Sequence, residues 1–145
     1  MQPTGIPVDL DQLITQSLFC DLDPKCVGSI ARGGWIVQKR RASRILGRGD
    51  QLDGLYTVFE GNLKLYMLSC NGDERVLRVL GPGDTFGEAI MFNAIPSPVF
   101  VESLSPVRLG YFPRRVINKA LESNPQFTQA MLRSMSMIMA HLITD

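Results

Sequence analysis

A chain of 145 residues, 45% hydrophobic and 20% charged, has the size of one domain with a real core, which excludes a disordered tail. A formal net charge of +1 gives no basis for strong nonspecific attraction to nucleic acid or acidic lipid. Three cysteines, Cys20, Cys26 and Cys70, are too few and too scattered for a disulfide framework. No apolar run reaches the length of a membrane span, and the first residues lack the basic-then-apolar order of a secretory leader, so a cytoplasmic protein is expected.

Residues 1–17 read as a lead-in and a short helix. Asp9 or Asp11 is the candidate cap, with Leu13, Ile14 and Leu18 inside the helix. Asp23-Pro24 then predicts a second helix with Asp23 as N-cap and Pro24 first, where a missing amide proton costs nothing; Gly33-Gly34 ends it near Ala31. Strand candidates follow at Trp35 to Val37, Arg44 to Leu46, Leu55 to Phe59, Leu63 to Leu68, Glu74 to Leu80 and Val107 to Phe112. In the fourth, Leu63, Leu65 and Met67 form an apolar face opposite Lys64, Tyr66 and Leu68, as in a strand buried on one side. In the fifth, Val76, Leu77, Val79 and Leu80 fail to alternate.

The turns between these strands carry more weight than any one of them. Gly49-Asp50, Glu60-Gly61, Asn71-Gly72-Asp73 and Gly81-Pro82-Gly83-Asp84 recur at roughly ten-residue steps, the rhythm of short strands joined by tight turns. An all-β roll or barrel is expected. After Pro113 the pattern is helical: Arg114 to Leu121, a break at Ser123-Asn124-Pro125, then an unbroken helix over 125–145. Met131, Met135, Ile138 and Leu142 form one apolar stripe on it and are assigned to a homodimer interface; Leu132, Met139 and Ile143 form a second stripe. One stripe packs on the roll while the other meets a second subunit, or both form one broad face buried within a monomer.

Gly81-Pro82-Gly83-Asp84-Thr85-Phe86-Gly87-Glu88, together with Leu18-Phe19, Gly49-Asp50, the stretch Leu55 to Tyr66 and Gly72-Asp73-Glu74, resembles the cyclic-nucleotide-binding domain of the catabolite-activator and fumarate-nitrate-reduction regulator superfamily. The resemblance covers about Leu18 to Asp145. It implies a mainly β fold: a double-stranded β-helix, a jelly-roll-like β-roll over 18–124, with flanking helices and a long C-terminal dimerisation helix over 125–145. In that family a winged helix-turn-helix follows, so any DNA contact is expected through a DNA-binding domain that this chain lacks. The implied role is effector sensing and dimerisation in a transcription regulator, with a stand-alone ligand- or protein-binding module as the alternative.

The resemblance assigns an effector site to Gly87, Glu88 and Ala89, with Ser97 and Val99 nearby. Gly87 would let a ligand approach the backbone, and Glu88 would accept from a ribose hydroxyl, or else serve as a buried capping carboxylate. The family's phosphate-binding arginine has no counterpart: no basic residue lies from Gly87 to Val107, and Pro98 falls near its place. Cyclic AMP is therefore expected to bind weakly, with Arg75 or Arg78 as substitute phosphate contacts. Phe86 to Phe92 also resembles the nitric-oxide- and redox-responsive regulators of the superfamily, which include haem-dependent members and leave haem open as a cofactor. His141, the only histidine, is read as a surface or interface residue rather than a ligand.

Three thiols are too few for an all-cysteine cluster, no metal site is expected, and buried small hydrophobes or redox-active thiols are the readings left. Lys39, Arg40, Arg41, Arg44 and Arg48 read as a solvated roll face; Lys25 and Arg32 extend it, which keeps an anionic partner as the other reading. The family's glycine near Ala42 is absent. With one histidine and no nucleophile elbow, no catalytic set is expected.

Overall fold

The structure, a computed structural model, describes residues 6–144; the lead-in through residue 5 and Asp145 lie outside them. The elements run α1 (Leu10–Leu13), α2 (Pro24–Arg32), β1 (Trp35–Lys39), β2 (Arg44–Leu46), β3 (Gly54–Glu60), β4 (Leu63–Leu68), β5 (Glu74–Leu80), β6 (Thr85–Phe86), α3 (Glu88–Asn93), β7 (Phe100–Ser103), β8 (Val107–Pro113), α4 (Arg114–Ser123) and α5 (Pro125–Thr144). Asp9 caps α1 by accepting from the Asp11 amide, and Asp23 caps α2 by accepting from Lys25, with Pro24 in its first turn.

The eight strands form two antiparallel sheets, β1-β8-β3-β6 and β2-β7-β4-β5. This is the mainly β, double-stranded roll, and its interior is filled by Leu46, Val58, Leu63, Leu80, Phe86 and Leu109 among others. A second core lies outside the roll, where Leu13, Phe19, Val27, Ile30, Ile117, Phe127 and Met131 pack together with Leu55, Phe59 and Phe112. The first sheet is thus apolar on both faces. Every residue of β3 except Glu60 is buried, so that strand has no polar phase.

Two turns share one construction. In Gly47-Arg48-Gly49-Asp50 and in Gly81-Pro82-Gly83-Asp84 the carboxylate accepts from the first glycine's amide, at 2.7 Å and 2.8 Å, and the third residue has positive φ. The repeat seen in the sequence is a repeat of local geometry.

The structure differs from the expectations in four places. Ile6 and Pro7, expected only as part of a lead-in, are tied to the first sheet: Pro7 bridges Trp35 and the Ile36 amide donates to the Ile6 carbonyl at 2.9 Å. Leu18 lies outside α1, which is a single turn. The short strands β6 and β7 had no strand signal: β6 has two residues, and β7 carries the buried polar residue Ser103. On β4 the apolar face does not stay buried: Met67 is exposed where the β4–β5 hairpin projects, while Tyr66, on the opposite face, is covered by stacking on Phe100 with centroids 5.2 Å apart. The broken alternation in β5 is a bulge: pairing steps from Leu65 with Arg78 to Tyr66 with Val76, leaving Leu77 unpaired.

Candidate functional site

A cavity of about 230 Å³ opens between the second sheet, α3 and the C-terminal half of α5. Its floor is apolar, from Leu46 of β2, Leu65 of β4, Phe86 of β6 and Val101 of β7. Gly87, Glu88 and Ala89 form one wall, and Pro98 and Val99 another. Gly87 sits at φ +102°, and a Cβ there would come within 2.5 Å of the Leu52 side chain, so only glycine turns the chain from β6 into α3 at this point. Glu88 is buried and its Oε2 accepts from the Thr85 hydroxyl, which fixes the carboxylate at the cavity's edge.

Of the two candidate arginines, Arg78 lines the cavity and Arg75 does not. Arg78 pairs with Leu65 and shares its inward phase, and the bulge adds Leu77 to the wall; Arg75 pairs with the exposed Met67, further along the hairpin and away from the cavity. The Arg78 side chain is only 15% exposed, and its nearest carboxylate, Asp84, is 3.9 Å away. Ser97 is also not at the cavity. Its hydroxyl donates to the Val99 carbonyl at 2.8 Å, and its backbone bridges Gly49 and Asp50, so it fastens the 95–99 turn to the β2–β3 loop.

The assignment of one α5 stripe to a subunit contact meets a different geometry. Met131 is 2% exposed in the outer core, Met135 packs against that core, Ile138 lines the cavity half-buried, and Leu142 lines it while remaining 47% exposed. The first part of that stripe faces this chain's own body, because the helix runs from the outer core to the mouth of the cavity. The other stripe faces outward, with Leu132 at 55%, Met139 at 60% and Ile143 at 76% exposure. Sequence periodicity showed two stripes but held no signal for which one the roll would take. The same limit hid Ile138 and Leu142 as cavity residues, whereas Leu65 was legible from its inward phase on β4.

Haem does not fit this cavity. No histidine, cysteine or methionine is among its lining residues, and a macrocycle needs several hundred Å³, of the order of whole drug-sized sites. His141 lies in a separate cleft of about 300 Å³ between α5 and the β5–β6 turn, beside Arg78, Asp84 and Arg133. Among the described residues no cluster of metal-ligating side chains occurs. Cys20 and Cys70 are exposed and Cys26 is buried; burial, and then the Asp23 carboxylate, push the Cys26 thiol up, away from the reactive thiolate. Lys39, Arg40, Arg41, Arg44 and Arg48 are all exposed. No described helix is long and apolar enough to cross a membrane.

Among the described residues, an eight-stranded antiparallel roll, with a short helix against its cavity and a long helix laid over the opening, defines a catabolite-activator-type β-roll fold. The family model for the cyclic nucleotide-binding domain matches residues 36–124, and the chain belongs to that family. It is 22% identical over 125 residues to a CRP-like cAMP-activated global transcriptional regulator of Mycobacterium tuberculosis, covering 86% of this chain and 56% of that protein. It therefore spans little more than half the length of that relative. The sensor domain of the transcriptional regulator DNR from Pseudomonas aeruginosa superposes with a TM-score of 0.78 at 23% identity, covering 93% of this chain and 91% of that one. These relatives are CRP-like and Fnr-family regulators, not enzymes. A match to lysophospholipase NTE1 of Coccidioides immitis, 27% identical and covering 75% of this chain, takes up 7% of that protein, so what is shared is a domain and not the whole enzyme.

Proposed function

We propose that this chain is the effector-sensing and dimerising part of a cytoplasmic transcription regulator, and that its effector is not cyclic AMP. The observation that carries the reading is that Ile138 and Leu142 of α5 form part of the cavity wall. Whatever fills the cavity touches the helix, so occupancy and helix position are one equilibrium. The outward stripe of Leu132, Met139 and Ile143 supplies an apolar face for a second copy, and the exposed, unpaired thiols suit a reducing compartment. Residues 125–145 then act as a lever between the roll over 18–124 and a DNA-binding domain.

The case against cyclic AMP is chemical. Pro98 lines the cavity where the family resemblance calls for an arginine on the cyclic phosphate. A missing charge-assisted fork costs about 1.5–3 kcal/mol, or roughly tenfold to a hundredfold in affinity. Arg78 restores part of the charge, but from β5 and not from the 95–99 turn. Native mass spectrometry of the purified protein, read for subunit count and retained mass, together with calorimetry against cyclic AMP, tests both halves. A dimer with weak or absent cyclic AMP binding is expected; micromolar cyclic AMP affinity, or a monomer at tens of micromolar, overturns the corresponding half.

A further inference from the structure

The geometry points to a compact organic carboxylate as the ligand of the roll cavity: an apolar body seated on Leu65, Phe86 and Val101, with its carboxylate paired to Arg78. This deepens the effector reading and rests on it. Two independent features lead there. The floor and most of the walls are aliphatic or aromatic, which favours a ligand with an apolar body and disfavours a sugar phosphate. Arg78 is the single cation among the lining residues, and its side chain is largely buried while its only carboxylate neighbour stands off at 3.9 Å. A partly covered guanidinium whose carboxylate partner stands off at 3.9 Å can take a second carboxylate in the bidentate geometry.

The size and the remaining charge narrow the class. A cavity of about 230 Å³ lies below the range of roughly 300–1,000 Å³ typical of drug-sized ligands, which suits a benzoate or a short-chain carboxylate. Glu88 also lines the cavity, already held by Thr85, and repels a second anion. The ligand is therefore a monoanion with its charge at the Arg78 end. Asp84 competes for the same guanidinium from the β5–β6 turn, so the ligand carboxylate would draw Arg78 out of its loose pair with Asp84. Arg78 and Ile138 line both the cavity and the neighbouring cleft, which places that movement against α5.

Methyl NMR titrations with benzoate, benzamide and toluene test the assignment. Benzoate is expected to shift the Leu65, Val99 and Ile138 methyls and to bind about tenfold tighter than benzamide. Arg78→Gln should erase that preference, Arg75→Gln should leave it intact, and Asp84→Asn, which keeps an acceptor for the Gly81 amide, should tighten benzoate by a few-fold. Toluene separates the two ideas. If toluene shifts these methyls while benzoate gains nothing over benzamide, or keeps its gain in Arg78→Gln, the carboxylate assignment fails and the cavity stands. If none of the three probes moves them, the effector cavity itself fails.

Discussion

Ala42 holds a backbone that suits glycine, at φ +63°, in the turn between β1 and β2. It is kept there by Ser103, whose carbonyl accepts from the Ala42 amide at 2.9 Å and whose hydroxyl accepts from Ser43 at 2.8 Å and donates to the Arg40 carbonyl at 2.6 Å. A β-carbon in the left-handed region costs about 1–2 kcal/mol, and glycine returns about 0.4–1 kcal/mol of that through the unfolded chain. Ala42→Gly should thus stabilise the fold by about 0.5–1 kcal/mol in urea unfolding; a destabilised variant would mean that the turn is not strained. Tyr56 carries a different signature. Burial, and then the neighbouring Tyr111, push its phenol from 10 up to about 12. Below pH 10 both states are protonated, so the contribution is complete; above it the unfolded chain loses the proton first, and stability falls as pH rises toward 12. About 2–3 kcal/mol should vanish across that window. Tyr56→Phe should flatten the decline, leaving the smaller part due to Tyr111, which burial also shifts upward.

Among the elements, α5 shows most clearly how far sequence reasoning reached. Its start at Pro125 and its two apolar stripes followed from breaker chemistry and a 3.6-residue period. Which stripe faces inward is decided by partners far away in the chain, Phe19 and Leu55 for Met131 and the cavity wall for Ile138, and a local pattern carries no such information. Glu74–Leu80 makes the same point in reverse. Its broken alternation looked like a weak strand and is in fact a bulge, which puts Leu77 on the cavity wall beside Arg78, so two adjacent residues of one strand face the same space. Ser97, by contrast, earned its candidacy only by resemblance, and its hydroxyl is spent on the turn that contains it. The two halves of the α5 reading separate by mutation. Met131→Ala should cost about 2–4 kcal/mol of folding stability, as a core truncation does. Met139→Ala, 60% exposed in one chain, should cost less than about 0.5 kcal/mol yet weaken self-association in sedimentation equilibrium. Equal losses of stability at both positions would contradict the division of faces.

At the scale of the whole molecule, the first sheet lies between two cores, and α5 runs from the outer one to the cavity. Phe127 and Met131 lock its first half into the outer core with Phe19 and Ile117, while Ile138 and Leu142 rest on a cavity. One half is anchored by close packing; the other sits over space, and local stability should follow that difference. Filling the space from the roll side makes the argument testable without any ligand. Val99 lines the cavity from the 95–99 turn, and Val99→Phe would bury roughly 40 Å² more apolar surface beneath Ile138 and Leu142. At ~25 cal/mol per Å² that is about 1 kcal/mol, or a roughly five-fold slowing of amide exchange where the contact is made. Hydrogen exchange should slow over residues 137–142 and stay unchanged over 126–132. A uniform change along the helix would mean that α5 moves as one rigid bar, and that cavity occupancy reaches a second subunit by tilting the whole helix and not by ordering its outer half.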